Sequence, residues 1–277
     1  MLEEIRDTGA TGYIAIGLSR SVGRAYRTSW TTARAGGFTD AEIERLLALR
    51  PALGVIIELQ SRAEMTKSVL NLYLGHEAGQ RVYSGDIRRG EGSTIRSVLW
   101  MCDLRGFTSL SDRIPSEFLI AVLNDYFETV TGPIHAHGGE VLKFIGDAVL
   151  GIFRIRDDRD VAAICGHALG AAELAAGNMQ ILNLRRARKN KAALNFSIAL
   201  HVGDAMYGNV GARDRVDFTV IGPAVNLCAR LEALAGAQGE KIICSSELAA
   251  ASTVGMKSVG THELKNVEAP VEAFVPI

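Results

Sequence analysis

Apolar and polar residues follow one another after position 94 in a pattern that predicts strands interleaved with helices. Short runs rich in Val, Ile, Leu and Phe indicate strands, and longer segments with apolar residues three and four positions apart indicate helices. Because the run 140–153 reads as a hairpin and the order of elements is mixed, we predict an α+β fold with helices packed on a mostly antiparallel sheet. The other expected strands are 95–104, 194–202, 216–221, 241–244, 256–259 and 273–277, and the expected helices are 115–136, 158–184 and 223–235.

The N-terminal part of the chain has a different pattern. Short strands are expected at 13–18 and 28–33, joined by a basic turn, and a helix should begin at a cap provided by Thr39 or Asp40. The run GGFTDAEIERLLALRPALGVIIEL resembles the closing part of a GAF-type sensory domain. This resemblance makes residues 1–60 a partial GAF-like sensory fragment.

Residues 61–93 are predicted to be a helical signalling linker. Apolar and small positions from Ile56 to Tyr73 step by three and four, which is typical of a coiled-coil seam and equally of a helix lying on its own domain. Glycines between 75 and 92 then mark a polar connector. We place the start of the last domain, residues 94–277, at its end.

Composition narrows the class of protein. Lys and Arg number 30 against 31 Asp and Glu, which argues against a nucleic-acid partner held by bulk charge. The basic run at 185–191 favours a solvated helix end over a phosphate-binding patch. The start of the chain lacks signal-peptide order, and no apolar run approaches the roughly 18 residues that a membrane span requires. The four cysteines form no CxxC pair, so we expect a cytoplasmic protein with reduced thiols.

Two carboxylates stand where predicted strands end. Asp103 follows the apolar run VLWMC, and Asp147 lies in the turn of the 140–153 hairpin. Asp103 alone is equally well explained as a strand-end aspartate that caps a helix. If the two strands are adjacent, however, the carboxylates repel each other unless a divalent cation lies between them. Oxygen-only ligation by few protein groups favours Mg²⁺ or Mn²⁺ bound together with substrate phosphates, as in two-metal displacement at phosphorus.

Four motifs make residues 95–277 similar to the catalytic domain of class III nucleotidyl cyclases. In chain order they are CDLRGFTSLSD, EVLKFIGDAVL, HVGDAMYGNVG and FTVIGPAVNLCARLE. The resemblance implies the class III cyclase fold, which has a ferredoxin-like, mixed, mostly antiparallel sheet with flanking helices. It also implies that Asp103 and Asp147 bind two Mg²⁺ or Mn²⁺ ions per site.

The same resemblance assigns the nucleotide-binding residues. Lys143 matches the position that recognises adenine, and Thr219 matches a threonine-type (class IIIb-like) subgroup of adenylyl cyclases. Asn226 and Arg230 match the pair that positions the ribose and stabilises the transition state. The chemistry agrees, because an ammonium in an apolar strand needs an acceptor, which adenine N1 supplies. Asn226 and Arg230, four apart on a helix, share one face.

Lys265 matches a lysine that contacts the triphosphate, although the glycine that usually follows it is here Asn266. In this family the two aspartates of one catalytic domain face the base- and ribose-binding residues of another. Since this chain carries both sets, the resemblance implies a homodimer through the catalytic domain, extended by the linker helix if that helix forms a coiled coil.

Together these features predict an adenylate cyclase, a phosphorus–oxygen lyase that converts ATP to 3′,5′-cyclic AMP and pyrophosphate. The ribose 3′-OH would attack the α-phosphate with the assistance of two metal ions. The alternatives are a guanylyl cyclase, a diguanylate cyclase, which Gly138-Gly139-Glu140 superficially resembles, and a degenerate nucleotide-binding regulatory module. A degenerate module is disfavoured because Asp103, Asp147 and Arg230 are all present.

Overall fold

The computed structural model describes residues 2–18, 25–86 and 88–277. The chain divides into two compact units, Met1–Leu70 and Asn71–Ile277. None of the helices formed by the described residues has the length and apolar character needed to cross a membrane.

The first unit contains a two-stranded antiparallel hairpin followed by helices. Its strands confirm those predicted, and the register runs from Gly12 opposite Thr32 to Leu18 opposite Tyr26. The basic turn between the strands was expected to contain Arg20, Arg24 and Arg27. Arg20 and Arg24 lie outside the described residues. Arg27 lies in β2 opposite Gly17 and not in the turn, because the ladder extends to Tyr26. The elements are α1 (Leu2–Asp7), β1 (Gly12–Leu18), β2 (Tyr26–Thr32), α2 (Asp40–Ala48) and α3 (Arg50–Leu74).

Helix α2 begins directly after Thr39, one of the two residues predicted to cap it. The Thr39 side chain accepts a hydrogen bond from the Glu42 backbone N–H, and the Glu42 carboxylate accepts one from the Thr39 backbone N–H at 2.9 Å. This reciprocal pair is a capping box, which satisfies two donors that a helix start leaves free. The domain limits at residues 60 and 93 and the GAF-like interpretation stay predictions.

The second unit is an α+β sandwich with an eight-stranded sheet, as predicted. The strand order is β4-β5-β3-β6-β8-β10-β9, β7 pairs with β6, and every pair is antiparallel except β6 with β8. The elements are α4 (His76–Tyr83), β3 (Gly92–Leu104), α5 (Phe107–Ser111), α6 (Ser116–Ala136), β4 (Glu140–Ile145), β5 (Ala148–Ile155), α7 (Val161–Ala187), β6 (Phe196–Gly211), β7 (Val216–Ile221), α8 (Pro223–Gln238), β8 (Ile242–Ser245), α9 (Ser246–Ala251), β9 (Met256–His262) and β10 (Val271–Pro276).

Strand β3 lies between β5 and β6 and is buried on both faces, as its apolar run predicted. Alternate side chains of a strand point to opposite faces of the sheet. Trp100 and Cys102 pack in a core with residues of α6 and α7, whereas Leu99 and Met101 pack in a second core with α8. The end of β3 is therefore fixed by packing from two sides.

The prediction of a polar connector at 75–93 is wrong in its first half, where α4 forms. This helix is only eight residues long, too short for an apolar period to stand out in the sequence. Tertiary contacts hold it, because Ala78 is buried and Glu77 forms an ion pair with Arg154 of β5.

The basic run at the end of α7 is solvated as predicted, with one exception. Arg185, Arg188, Lys189 and Lys191 are exposed, but Arg186 is buried. Charge runs on helices are read as solvent-facing, and the sequence gives no sign that one member turns inward.

Strand β6 is longer than predicted, because residues 203–211 continue it past the expected end at 202. Glycines at 203, 208 and 211 in this stretch suggest a break. The ladder continues because it is paired on both sides, with Tyr207 opposite Ser93 of β3 and Val220 of β7.

Gly208 is the position in this ladder where a side chain has least room. A Cβ there would meet the Glu91 carbonyl oxygen and would lie 2.5 Å from the Gly92 Cα, both backbone atoms. We expect Gly208→Ala to lower the free energy of unfolding by about 1–3 kcal/mol, the usual cost of overpacking. Urea denaturation of the full chain measures this.

Gly177→Ala is the matched control. Gly177 lies inside α7, and a Cβ there has no atom of another segment within 4 Å. Alanine should stabilise the helix by about 0.5–1 kcal/mol. Equal stability of the two variants would contradict the steric account of Gly208.

Candidate active site

Asp103 is held at the end of β3 by the register of the sheet. It lies opposite Ser197 of β6 and is only partly buried. Its Oδ1 accepts a hydrogen bond from the backbone N–H of Leu104 at 3.0 Å. The carboxylate thus stands at the edge of a rigid core.

Asp147 lies in the tight turn between β4 and β5. Gly146 precedes it with φ +65°, a left-handed conformation that glycine adopts at little cost. Because β5 pairs with β3 with Val149 opposite Cys102, the turn reaches the end of β3. The strand register therefore brings the two aspartates close together, as the sequence predicted.

The carboxyl groups of Asp103 and Asp147 lie within hydrogen-bonding reach of each other. The pKa of Asp147 is raised to about 6, first by partial burial and then by the hydrogen-bonding contact with Asp103 and the negative charge of that carboxylate. A divalent cation would offset the repulsion between these two carboxylates, so the donor set fits a hard metal ion.

Glu232 on α8 is a third carboxylate near this pair, and sequence reasoning missed it. Ser197, the residue opposite Asp103, donates a hydrogen bond from its Oγ to Glu232 Oε1 at 2.5 Å. Burial raises the pKa of Glu232, and the charges of Asp103 and Asp147 raise it as well. In the sequence, this residue looks like any acidic position of a surface helix.

The protein contributes few ligands of its own to a metal ion. Within the described ranges no group of three or more His, Cys, Asp and Glu side chains is arranged to hold one. Two carboxylates leave most positions around Mg²⁺ or Mn²⁺ for water or phosphate oxygens. The pair is thus suited to an ion that arrives with a phosphorylated ligand.

Lys143 of β4 forms an ion pair with Asp217 of β7, a partner that sequence reasoning did not identify. Asp217 and Thr219 are two apart on one strand, so their side chains lie on the same face. The structure thereby brings Lys143 to the strand that carries Thr219. A cavity of about 540 Å³ adjoins them and is lined by Lys143, Asp217, Phe144, Phe218 and His135, among others.

Asn226 and Arg230 share a face of α8, as their spacing predicted, and Asn226 is exposed. The opposite face is buried, where Cys228 Sγ donates to the backbone oxygens of Leu99 and Ala199. Arg230 makes no hydrogen bond or ion pair through its side chain with any part of the chain that the structure describes. Its guanidinium is therefore free to meet a ligand.

Lys265 is exposed in the connection between β9 and β10. Asn266, which follows it, has φ +60°, in the left-handed region that asparagine tolerates better than most residues. This explains why a glycine is favoured at this position and why asparagine can replace it. No hydrogen bond or ion pair joins Lys265 to the other predicted site residues within the described chain.

The site residues therefore fall into separate groups. Asp103 meets Asp147, Lys143 meets the strand of Thr219, and Asn226 lies beside Arg230 on α8.

The raised pKa of Asp147 predicts a pH-dependent stability. Without metal, the Asp147 carboxyl does not lower the free energy of unfolding below about pH 4, because it is protonated in both the folded and the unfolded protein. The cost grows as the pH rises toward 6, the pKa in the folded protein, and is complete above it. Asp147→Asn should therefore raise the thermal unfolding midpoint in EDTA at pH 8 and leave it nearly unchanged at pH 4.

Asp214→Asn is the control for the loss of one charge, because Asp214 is exposed in the connection between β6 and β7. Its midpoint should follow that of the parent at both pH values. A less stable Asp147→Asn at pH 8 would contradict the carboxylate contact.

The second unit is similar to the cyclase domains of known proteins. The family model described as the adenylate and guanylate cyclase catalytic domain matches residues 95–273. An adenylate cyclase of Anabaena cylindrica is 32% identical over 167 residues, which are 59% of this chain and 32% of that protein. This chain thus spans about a third of the length of that curated relative.

Two solved structures have the same fold. The adenylyl cyclase CyaB from P. aeruginosa superposes with a TM-score of 0.62 at 26% identity, covering 68% of this chain and 96% of that one. The guanylyl cyclase Cya2 superposes with a TM-score of 0.57 at 27% identity, covering 66% and 92%. Similar identity to both leaves the choice of base to individual residues.

Proposed function

Because the chain belongs to the adenylate and guanylate cyclase catalytic domain family, as its four motifs predicted, we propose that it is an adenylate cyclase that makes 3′,5′-cyclic AMP and pyrophosphate from ATP. The contact between Asp103 and Asp147 carries the proposal. A fold that forces two carboxylates together, one of them with a raised pKa, is suited to binding a divalent cation.

Asp103 and Asp147 would hold Mg²⁺ or Mn²⁺, two ions per site. When bound, such ions lower the pKa of the ribose 3′-OH and offset charge on the leaving group. Side chains of the protein would orient the substrate and stabilise the transition state. Arg230, unpaired in the described chain, would meet the charge that grows on the α-phosphate, and Asn226 on the same helix face would orient the ribose.

Lys143 supports ATP over GTP. Its ammonium can only donate hydrogen bonds, and adenine N1 is an acceptor, whereas guanine N1 carries a hydrogen. Thr219, on the face of β7 next to Asp217, can accept from the exocyclic amine of adenine. Asp217 would by itself favour GTP, since a carboxylate can accept a hydrogen bond from guanine N1–H. In the structure its charge is paired with Lys143 instead.

We propose that the active protein is a homodimer. The separate groups of site residues would then face one another across the interface, with Lys265 reaching the triphosphate. Apolar side chains flank the Lys143 and Thr219 strands and are exposed in the single chain, which is the composition of a buried interface. They are Phe144, Ile145, Met206, Val210, Val216 and Ile221.

The linker helix is proposed to extend this dimer. Ile56 and Leu59, two positions of the predicted seam that leads into the linker, are exposed on α3. Exposed seam positions favour a coiled coil over a helix that lies on its own domain.

Turnover tests the proposed reaction. With ATP or GTP in separate assays and Mn²⁺ or Mg²⁺ as the metal, cyclic AMP should be the main product. Asp103→Ala should lower the rate at least about 100-fold, the usual scale for loss of a group that stabilises transition-state charge. Asp214→Ala, which removes an exposed carboxylate, should leave the rate within about twofold. Cyclic GMP as the main product would contradict the base assignment, and no turnover would favour a regulatory module.

Complementation tests the shared site. Asp103→Ala and Arg230→Ala should each be inactive alone, but a mixed dimer contains one site with both side chains intact. An equal mixture should recover about a quarter of the parental rate, because half of the dimers are mixed and each has one good site of two.

The control mixes Asp103→Ala with Asp147→Ala. Both changes affect the same half of the site, so this mixture should stay inactive. If mixed dimers form and the first mixture also stays inactive, the two halves do not come from different chains.

A further inference from the structure

A cavity of about 320 Å³ lies between α5, α6 and the end of α7, apart from the site described above. Its walls are mostly apolar and include Leu110, Ile114, Phe118 and Val122. The volume lies within the range of small-molecule pockets, which begins at about 300 Å³. An apolar pocket of this size is suited to a small molecule with a hydrocarbon body.

Arg186 is one of the residues that line this cavity, and the hydrogen-bonding capacity of its guanidinium is only partly satisfied. The residue is 5% exposed, and its Nε donates to the Ala192 carbonyl oxygen at 2.8 Å. Its Nη1 is buried and has no hydrogen-bond partner, and no carboxylate pairs with it in the described part of the chain. A buried, unpaired charge is strongly unfavourable, so such a group indicates an anionic partner.

The other charged groups at the cavity cancel each other. Asp125 and Lys191 both line it and are exposed at its rim. Because Asp125 and Lys191 carry opposite charges, the net charge of the cavity lining is the single positive charge of Arg186. The cavity is therefore matched to an anion of charge −1 rather than to a phosphate of higher charge.

We propose that this cavity binds a small monocarboxylic acid with an aromatic or branched apolar body. The carboxylate would accept a charge-assisted hydrogen bond from the Arg186 guanidinium, whose Nε is already bound to Ala192. The body would contact Ile114, Phe118 and Val122. This site is independent of nucleotide and metal.

Titration with benzoate tests the proposal, with benzamide as the uncharged analogue of the same shape. The full chain is titrated in EDTA without nucleotide and binding is measured by NMR, so the outcome is separate from cyclase activity. Benzoate should bind at least about tenfold more tightly than benzamide, as expected for a charge-assisted pair. Arg186→Met should remove this difference, whereas Arg185→Met, at the exposed neighbouring position, should keep it.

Ala121→Phe provides a second test that leaves Arg186 intact, because Ala121 lines the cavity and a larger side chain would fill it. Benzoate binding should be lost in this variant as well. The proposal is overturned if benzoate fails to bind at about 10 mM, if benzamide binds equally well, or if Arg186→Met or Ala121→Phe binds benzoate like the parent.

Discussion

The repulsion between two carboxylates is the constraint on which the site depends. Asp103 and Asp147 would separate if they lay on flexible loops, and they meet here because the ladder between β3 and β5 sets their positions. That ladder is fixed by two cores, one on each face of β3. Apolar burial therefore offsets the cost of the contact. A cation that binds the two aspartates would remove their repulsion. It would also bind more tightly because the site is already assembled before binding.

Much of this arrangement could be predicted from the sequence, and the parts that could not share a cause. The apolar run before Asp103 and the hairpin turn at Asp147 are local patterns, and the rules of strand connection bring them together. Glu232 and Asp217 become significant only through distant partners, Ser197 and Lys143. Local patterns carry no information on such pairs. The same holds for α4, which tertiary contacts stabilise rather than an apolar period of its own.

The ion pair between Lys143 and Asp217 changes how base recognition is understood. The sequence predicted a lysine in an apolar strand that needs an acceptor, and the fold supplies one within the same chain. The pair limits the positions that the ammonium can take. Under the proposed function, a base in this cavity would meet a donor that a carboxylate already orients. Discrimination between adenine and guanine would then depend on the pair rather than on the lysine alone.

Arg186 and Arg230 both lack a carboxylate partner within the described residues, but they differ in their exposure to solvent. Arg230 is partly exposed on α8, so solvent stabilises its charge until a ligand arrives. Arg186 is buried, so solvent cannot stabilise its charge in this way. The cavity of Arg186 also contacts Leu110 of α5, and α5 begins four residues after Asp103. A ligand in that cavity would contact α5, the helix that follows Asp103 in the chain. By linkage, it changes metal affinity only if it binds the two positions of α5 unequally, and the metal must then change its affinity by the same factor.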